Sequence, residues 1–120
     1  MSAINKFLTW LNEEIGYLEK KNNDLDYLFD KTANAGTANF TKYAYVLDTK
    51  YPDVMNGNKN GYPWCACFYV CGIMETFGQS LGMKMLYLPK ESLAAGCGEN
   101  QGQAYYKAQN KLFKYPQVGD

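Results

Sequence analysis

Residues 62–77 read YPWCACFYVCGIMETF, and no other stretch limits the fold as strongly. Proline has no N–H to give and cannot sit inside a helix, yet its fixed φ suits a helix entrance. Pro63 therefore predicts a helix that begins at about Trp64 or Cys65, and Gly78 predicts its end after Phe77. Within it Cys67, Val70, Cys71 and Met74 share one face, while Phe68 and Tyr69 make the remainder apolar. A helix apolar all round must be covered on several sides. The uninterrupted apolar run, Tyr62 to Met74, falls short of the about 20 residues a bilayer span needs, so it predicts a buried central helix.

The rest of the chain supplies elements short enough to surround it. Ser2 is a good N-cap, and Ile4, Phe7, Leu8, Leu11, Ile15 and Leu18 recur at helical spacing, which predicts one amphipathic helix to about Lys20. Leu25 to Phe29 has room for no more than a turn of helix. Residues 31–38 (KTANAGTA) read as a loop with Gly36 as its positive-φ residue. Asn39 is placed to cap a second helix in which Phe40, Tyr43, Ala44 and Leu47 share a face, ended by Tyr51-Pro52-Asp53. Residues 56–61 (NGNKNG) are the richest turn cluster, a surface loop. Leu81 to Leu88 predicts a shorter helix before Pro89. Ala94 to Gly98 is a small-residue link, and Glu99 to Gln109 predicts a last helix with Ala104, Tyr105 and Ala108 inward. Leu112 to Tyr115 looks extended, and Pro116 to Asp120 is a turn of the kind that leads into a strand.

At 120 residues the chain has room for one core, and with 47% apolar residues it is globular rather than disordered. Its twelve basic residues are all lysines and are balanced by twelve carboxylates. With neither excess positive charge nor an arginine fork, nucleic acid is excluded as an expected partner. The absence of His excludes a His-containing metal site, a Ser-His-Asp triad and a Cys-His pair built from this polypeptide alone. Glu13 and Glu14 stand where a signal peptide would need a small-residue cleavage site, so cytosolic synthesis without a leader is expected. In that compartment the four cysteines are expected as thiols. Cys65, Cys67, Cys71 and Cys97 do not follow the paired spacing of structural zinc sites, and neither a metal nor another cofactor is expected.

Chemistry concentrates at Cys65. A thiolate is the nucleophile of cysteine catalysis, and a helix N-terminus favours its formation through free backbone N–H groups and the helix dipole. Those same groups can stabilise an oxyanion during acyl transfer. By position alone Cys65 has a second reading, as a small buried apolar residue.

Residues 61–70 (GYPWCACFYV) resemble the W-C-x-x-F-V motif at the nucleophile of CHAP domains, the cysteine, histidine-dependent amidohydrolases/peptidases of the NlpC-like superfamily. Residues 14–20 (EIGYLEK) and 34–43 (NAGTANFTKY) look like the N-terminal helices of CHAP-like proteins from Gram-positive gut bacteria and their phages. The ending, PQVGD, is similar to the P-x-x-G-D that opens the family's first core strand. The resemblance implies a mainly α chain, residues 1–120, forming the helical lobe of a papain-like α+β domain with its antiparallel sheet largely absent. It assigns Cys65 as nucleophile, with Trp64 and Phe68 as packing residues beside it. Tyr62 and Trp64, adjacent to the thiol, are the candidate substrate contacts. The family's His lies on a strand after the G-D turn, so the resemblance implies a peptidoglycan hydrolase fragment, amidase or endopeptidase, inactive alone. A second chain supplying the His is one route to activity, and action at the cell wall after release is implied. Cys67 and Cys71 depart from the family's pattern.

The other functional class is a non-catalytic module that binds cell-wall glycan or peptide, or another protein, through loop aromatics. Tyr51, Tyr62 and Tyr115 are its candidates, whereas Tyr43 and Tyr105 fall on apolar helix faces and read as core. A lobe without its sheet is expected to expose an apolar face on the central helix and so to form a homodimer.

Overall fold

The structure, a computed structural model, describes residues 1–55, 57–87 and 102–117. Its centre is the helix that Pro63 and Gly78 bracket, Cys65–Phe77. Gly78 closes it at φ 80°, donating its N–H to Met74 O at 2.8 Å. Three helices pack on it: Ala3–Glu14 (α1), Lys42–Lys50 (α3, after the one-turn α2, Leu25–Leu28) and Gln79–Leu86 (α5), the central helix being α4. A last helix, Gly102–Ala108 (α6), follows. The described residues are mainly helical and contain no strand, only isolated bridges of Lys20 with Ala35 and Phe40.

Seven residues of α4, from Ala66 to Met74, are buried, Gly72 among them, joined in the core by Tyr43, Leu47, Val54, Met55 and Leu86. A fully buried residue of this size contributes about 1.5–3 kcal/mol of burial free energy. Gly72 lets α1 come close, because a Cβ there would lie 2.7 Å from the rings of both Phe7 and Trp10. The uncovered apolar face expected on α4 is therefore not found among the described residues. Only Tyr69, 38% exposed, is an exposed large apolar side chain of α4, because α1, α3 and α5 occupy its flanks.

The first helix is shorter than its spacing predicts. It stops at Glu14 rather than near Lys20, because Ile15 turns extended and Gly16 takes φ 90°. Residues 17–21 then lie against residues 31–40: Leu18 N–H donates to Lys31 O, Lys20 to Phe40 O, Lys21 to Asn34 O, and Gly36 to Glu19 O, at 2.8–3.0 Å. Ile15 and Leu18, counted on the helical stripe, are exposed, and Trp10 takes the place against α4. Gly36 is not the positive-φ residue of this loop. Asn34 and Asn39 are, at φ 54° and 62°, and Gly36 is required for a different reason, since a Cβ there would lie 2.5 Å from Lys21 Cβ.

Thr41, not Asn39, caps α3, accepting from Ala44 N at 3.2 Å. Asn39 and Phe40 are held by backbone bonds to Gly61 and Lys20, so the helix cannot begin earlier and Phe40 lies outside it. Tyr43, Ala44 and Leu47 form its buried face, as their spacing predicts. The predicted 81–88 helix begins two residues earlier and ends at Leu86, where Tyr87 turns left-handed at φ 53°. In α6 no residue is buried: Ala104 and Ala108 are exposed and Tyr105 half-buried, so the inward face expected of them is absent. Leu112 to Tyr115 is exposed and forms no strand. The expected link at 94–98, the start of the last helix and the 118–120 turn lie outside the described residues. No described helix is long and apolar enough to cross a membrane.

Candidate functional site

The end of α1, the turn after it, the approach to α3 with its first turn, and the start of α4 line an open cleft of about 530 Å³. Its walls are Tyr17, Tyr43, Trp64 and Phe68, with Glu14, Asn39, Pro63 and Cys65 completing the lining. Cys65 is the first residue of α4 and is exposed. Trp64 precedes it in a non-helical conformation, and its side chain does not cap the first turn. The free backbone N–H groups that a helix start carries thus lie beside the thiol, and the N-cap residue Trp64 does not compete for them.

The walls interlock. The Tyr43 ring stacks on Trp64 at 5.8 Å and meets Phe68 edge-on at 4.8 Å and Tyr17 at 4.9 Å. Trp64 Nε1 donates to Glu19 Oε2 at 2.8 Å. Tyr43 Oη donates to Glu14 Oε2 at 2.8 Å, and Lys42 Nζ reaches the same oxygen at 2.6 Å. Tyr17 Oη donates to Leu28 O at 2.7 Å and accepts from Lys42 N at 2.9 Å, so it serves the first amide of α3. Burial raises the Tyr17 hydroxyl above its ordinary range, and burial followed by the bond to Glu14 raises Tyr43 further. Both stay protonated donors at neutral pH.

The other two described thiols differ in kind. Cys67 and Cys71 are buried on the side of α4 toward α3, and loss of hydration pushes them up to about 11 and about 12. They are inert core residues at neutral pH. All three thiols are free, and no group of three or more His, Cys, Asp or Glu that could hold a metal occurs among the described residues. Cys97 lies outside them.

Of the residues singled out by sequence, Cys65 and Trp64 line the cleft together, whereas Tyr62 is 59% exposed and not part of its lining. Tyr51 is not a loop residue open to ligand. It is buried, and its hydroxyl donates to Met74 O at 3.3 Å. Tyr43 is both core and cleft wall. Glu14 and Tyr17 were not legible as cleft residues, because a helix continued through Gly16 would have placed them on a different path; Gly16 itself was the available signal. No protein-family model, curated protein or solved structure matches this chain.

Proposed function

We propose that the chain is the nucleophile-bearing helical part of a CHAP-like, papain-like cysteine amidohydrolase/peptidase directed at peptidoglycan, and that it is inactive by itself. One observation carries the reading: an exposed thiol at the first residue of α4, in an aromatic cleft, with the helix start left uncapped by the Trp64 side chain. The W-C-x-x-F-V resemblance supports the same residue. In this reading Cys65 Sγ, as thiolate, attacks an amide carbonyl, and N–H groups of the first turn hold the oxyanion. Collapse to a thioester expels an amine that needs a proton, and water then releases the acyl group. The chain holds no imidazole to move that proton, and Glu14 is already engaged by Tyr43 and Lys42. A His delivered to the cleft by another polypeptide completes the machinery.

The test is alkylation of Cys65 by iodoacetamide in a Cys97→Ser background. Soluble peptidoglycan fragments should slow it saturably, while the pure chain leaves cell walls intact. Alkylation indifferent to the fragments sinks the substrate assignment, and wall lysis abolished by Cys65→Ser sinks the claim of inactivity. The exposed rings of Tyr62 and Tyr115 favour a second reading, a non-catalytic glycan- or peptide-binding module. Affinity retained in Cys65→Ala but lost in Tyr62→Ala would decide for it.

A further inference from the structure

Two lysines are buried as completely as the aliphatic core, Lys20 at 0% and Lys59 at 2% exposure. An ammonium has three donors and is costly to bury unless all are met. Lys59 Nζ meets Met55 O at 3.1 Å, Gly57 O at 2.8 Å and Asp48 Oδ1 at 2.8 Å. Lys20 Nζ meets Asp30 O at 2.6 Å and Ala33 O at 2.8 Å, and its remaining side faces the Tyr17 ring at 4.7 Å. Each ammonium is held by two carbonyl oxygens of one loop, joined for Lys59 by the Asp48 carboxylate of α3, as a bound cation would be. Asp30 Oδ1 also accepts from Thr32 N and Ala33 N at 2.9 and 2.8 Å, which curls residues 30–33, and the Lys20 ammonium joins the carbonyls at the two ends of that curl.

The Lys20 cradle adjoins the cleft. Tyr17 is the wall between them, with its ring on the Lys20 ammonium and its hydroxyl on Leu28 O and Lys42 N. We infer that Lys20 is a positioning residue that acts as a built-in cation: it gathers the 28–33 loop and thereby sets the Tyr17 wall of the cleft. This inference is independent of Cys65 chemistry and concerns the shape of the cleft whatever it binds. Its charge surroundings are Asp30, which attracts the ammonium, and Lys42, which repels it and lies 5.2 Å from the same Tyr17 ring.

Truncation tests it by leaving a hole of known shape. Lys20→Ala removes three methylenes and the ammonium, the atoms of n-propylammonium. The variant should melt at least about 8 °C below wild type. Its Gly36 and Lys42 amides should lose hydrogen-exchange protection while those in the middle of α4 keep theirs. Millimolar n-propylammonium should restore both amides and raise the melting midpoint of the variant but not of wild type. The neutral n-propanol should do neither. Wild-type protection at Lys42 in the variant, or equal rescue by n-propanol, overturns the inference. Should Lys20→Ala not fold, Lys20→Met keeps the aliphatic stem and should show the same local loss; a normal Lys42 amide there is equally fatal. On wild type itself, reductive methylation under native conditions should spare Lys20 while labelling Lys50, and equal labelling of the two refutes the buried cradle.

Discussion

At the scale of single residues, environment rather than residue type separates the three described thiols. Cys65 is exposed, while Cys67 and Cys71 lose hydration and hold their protons to about 11 and about 12. In Cys97→Ser, one thiol equivalent, Cys65, should react rapidly with a disulfide reagent at neutral pH, and two more only on unfolding. The same shifts dictate an alkaline limit. Cys67, Cys71, Tyr17, Tyr43 and Tyr51 all bind their protons more tightly folded than unfolded. Above the ordinary thiol value of 9 the unfolded chain therefore holds fewer protons, so this stability, complete below that pH, drains as pH rises toward 12. Lys20 works in the opposite sense, because burial holds its ammonium below the usual range, but it stands against five groups. The melting midpoint should be clearly lower at about pH 10 than at pH 7; a flat profile contradicts the burial of these groups.

Among elements, the contact of α1 with α4 turns on the missing side chain of Gly72. A methyl there would press on the Phe7 and Trp10 rings, and neither has room to move freely, since Phe7 also meets Tyr69 edge-on and Trp10 packs on Phe68. Gly72→Ala is expected to cost about 1–3 kcal/mol through overpacking, despite the better helix propensity of Ala. Urea denaturation gives the value, and a stabilised variant would mean that α1 does not lie where described. Much of this level was legible in the amino-acid order. Pro63 and Gly78 bracketed α4 to within about a residue, and the Tyr43, Ala44 and Leu47 spacing found the buried face of α3. Where the reading failed, a backbone partner far along the chain had outcompeted a local pattern. Leu18, Lys20 and Lys21 satisfy their amides with carbonyls of residues 31–40 instead of continuing α1, and Asn39 gives up its cap for a bond from Gly61.

In the whole molecule, order is distributed unevenly. α4 is buried on most of its surface by three neighbours, whereas residues 102–117 contribute no buried side chain. Trypsin should therefore cut at Lys107, Lys111 or Lys114 before any site within the α1 to α4 core, as mass spectrometry of a short digest will record. Simultaneous loss of both regions would show that they unfold together. What the order of residues determined by itself was local: helix boundaries marked by Pro and Gly, a central apolar helix, and a thiol at its first turn. Only the tertiary structure decided which polar groups lie inside and what faces that thiol. Lys20 went into the interior because residues 30–33 brought carbonyls to it, and Lys59 because Asp48 of α3 joined the carbonyls of its own loop; Glu14 and Tyr17 came to line one cleft with Cys65 because the chain turned at Gly16, and Tyr43 because α3 packed on α4. Spacing along a chain encodes the face a residue takes within its own element, but the solvation of a charge and the lining of a cleft depend on which remote segments arrive, and no local periodicity carries that information.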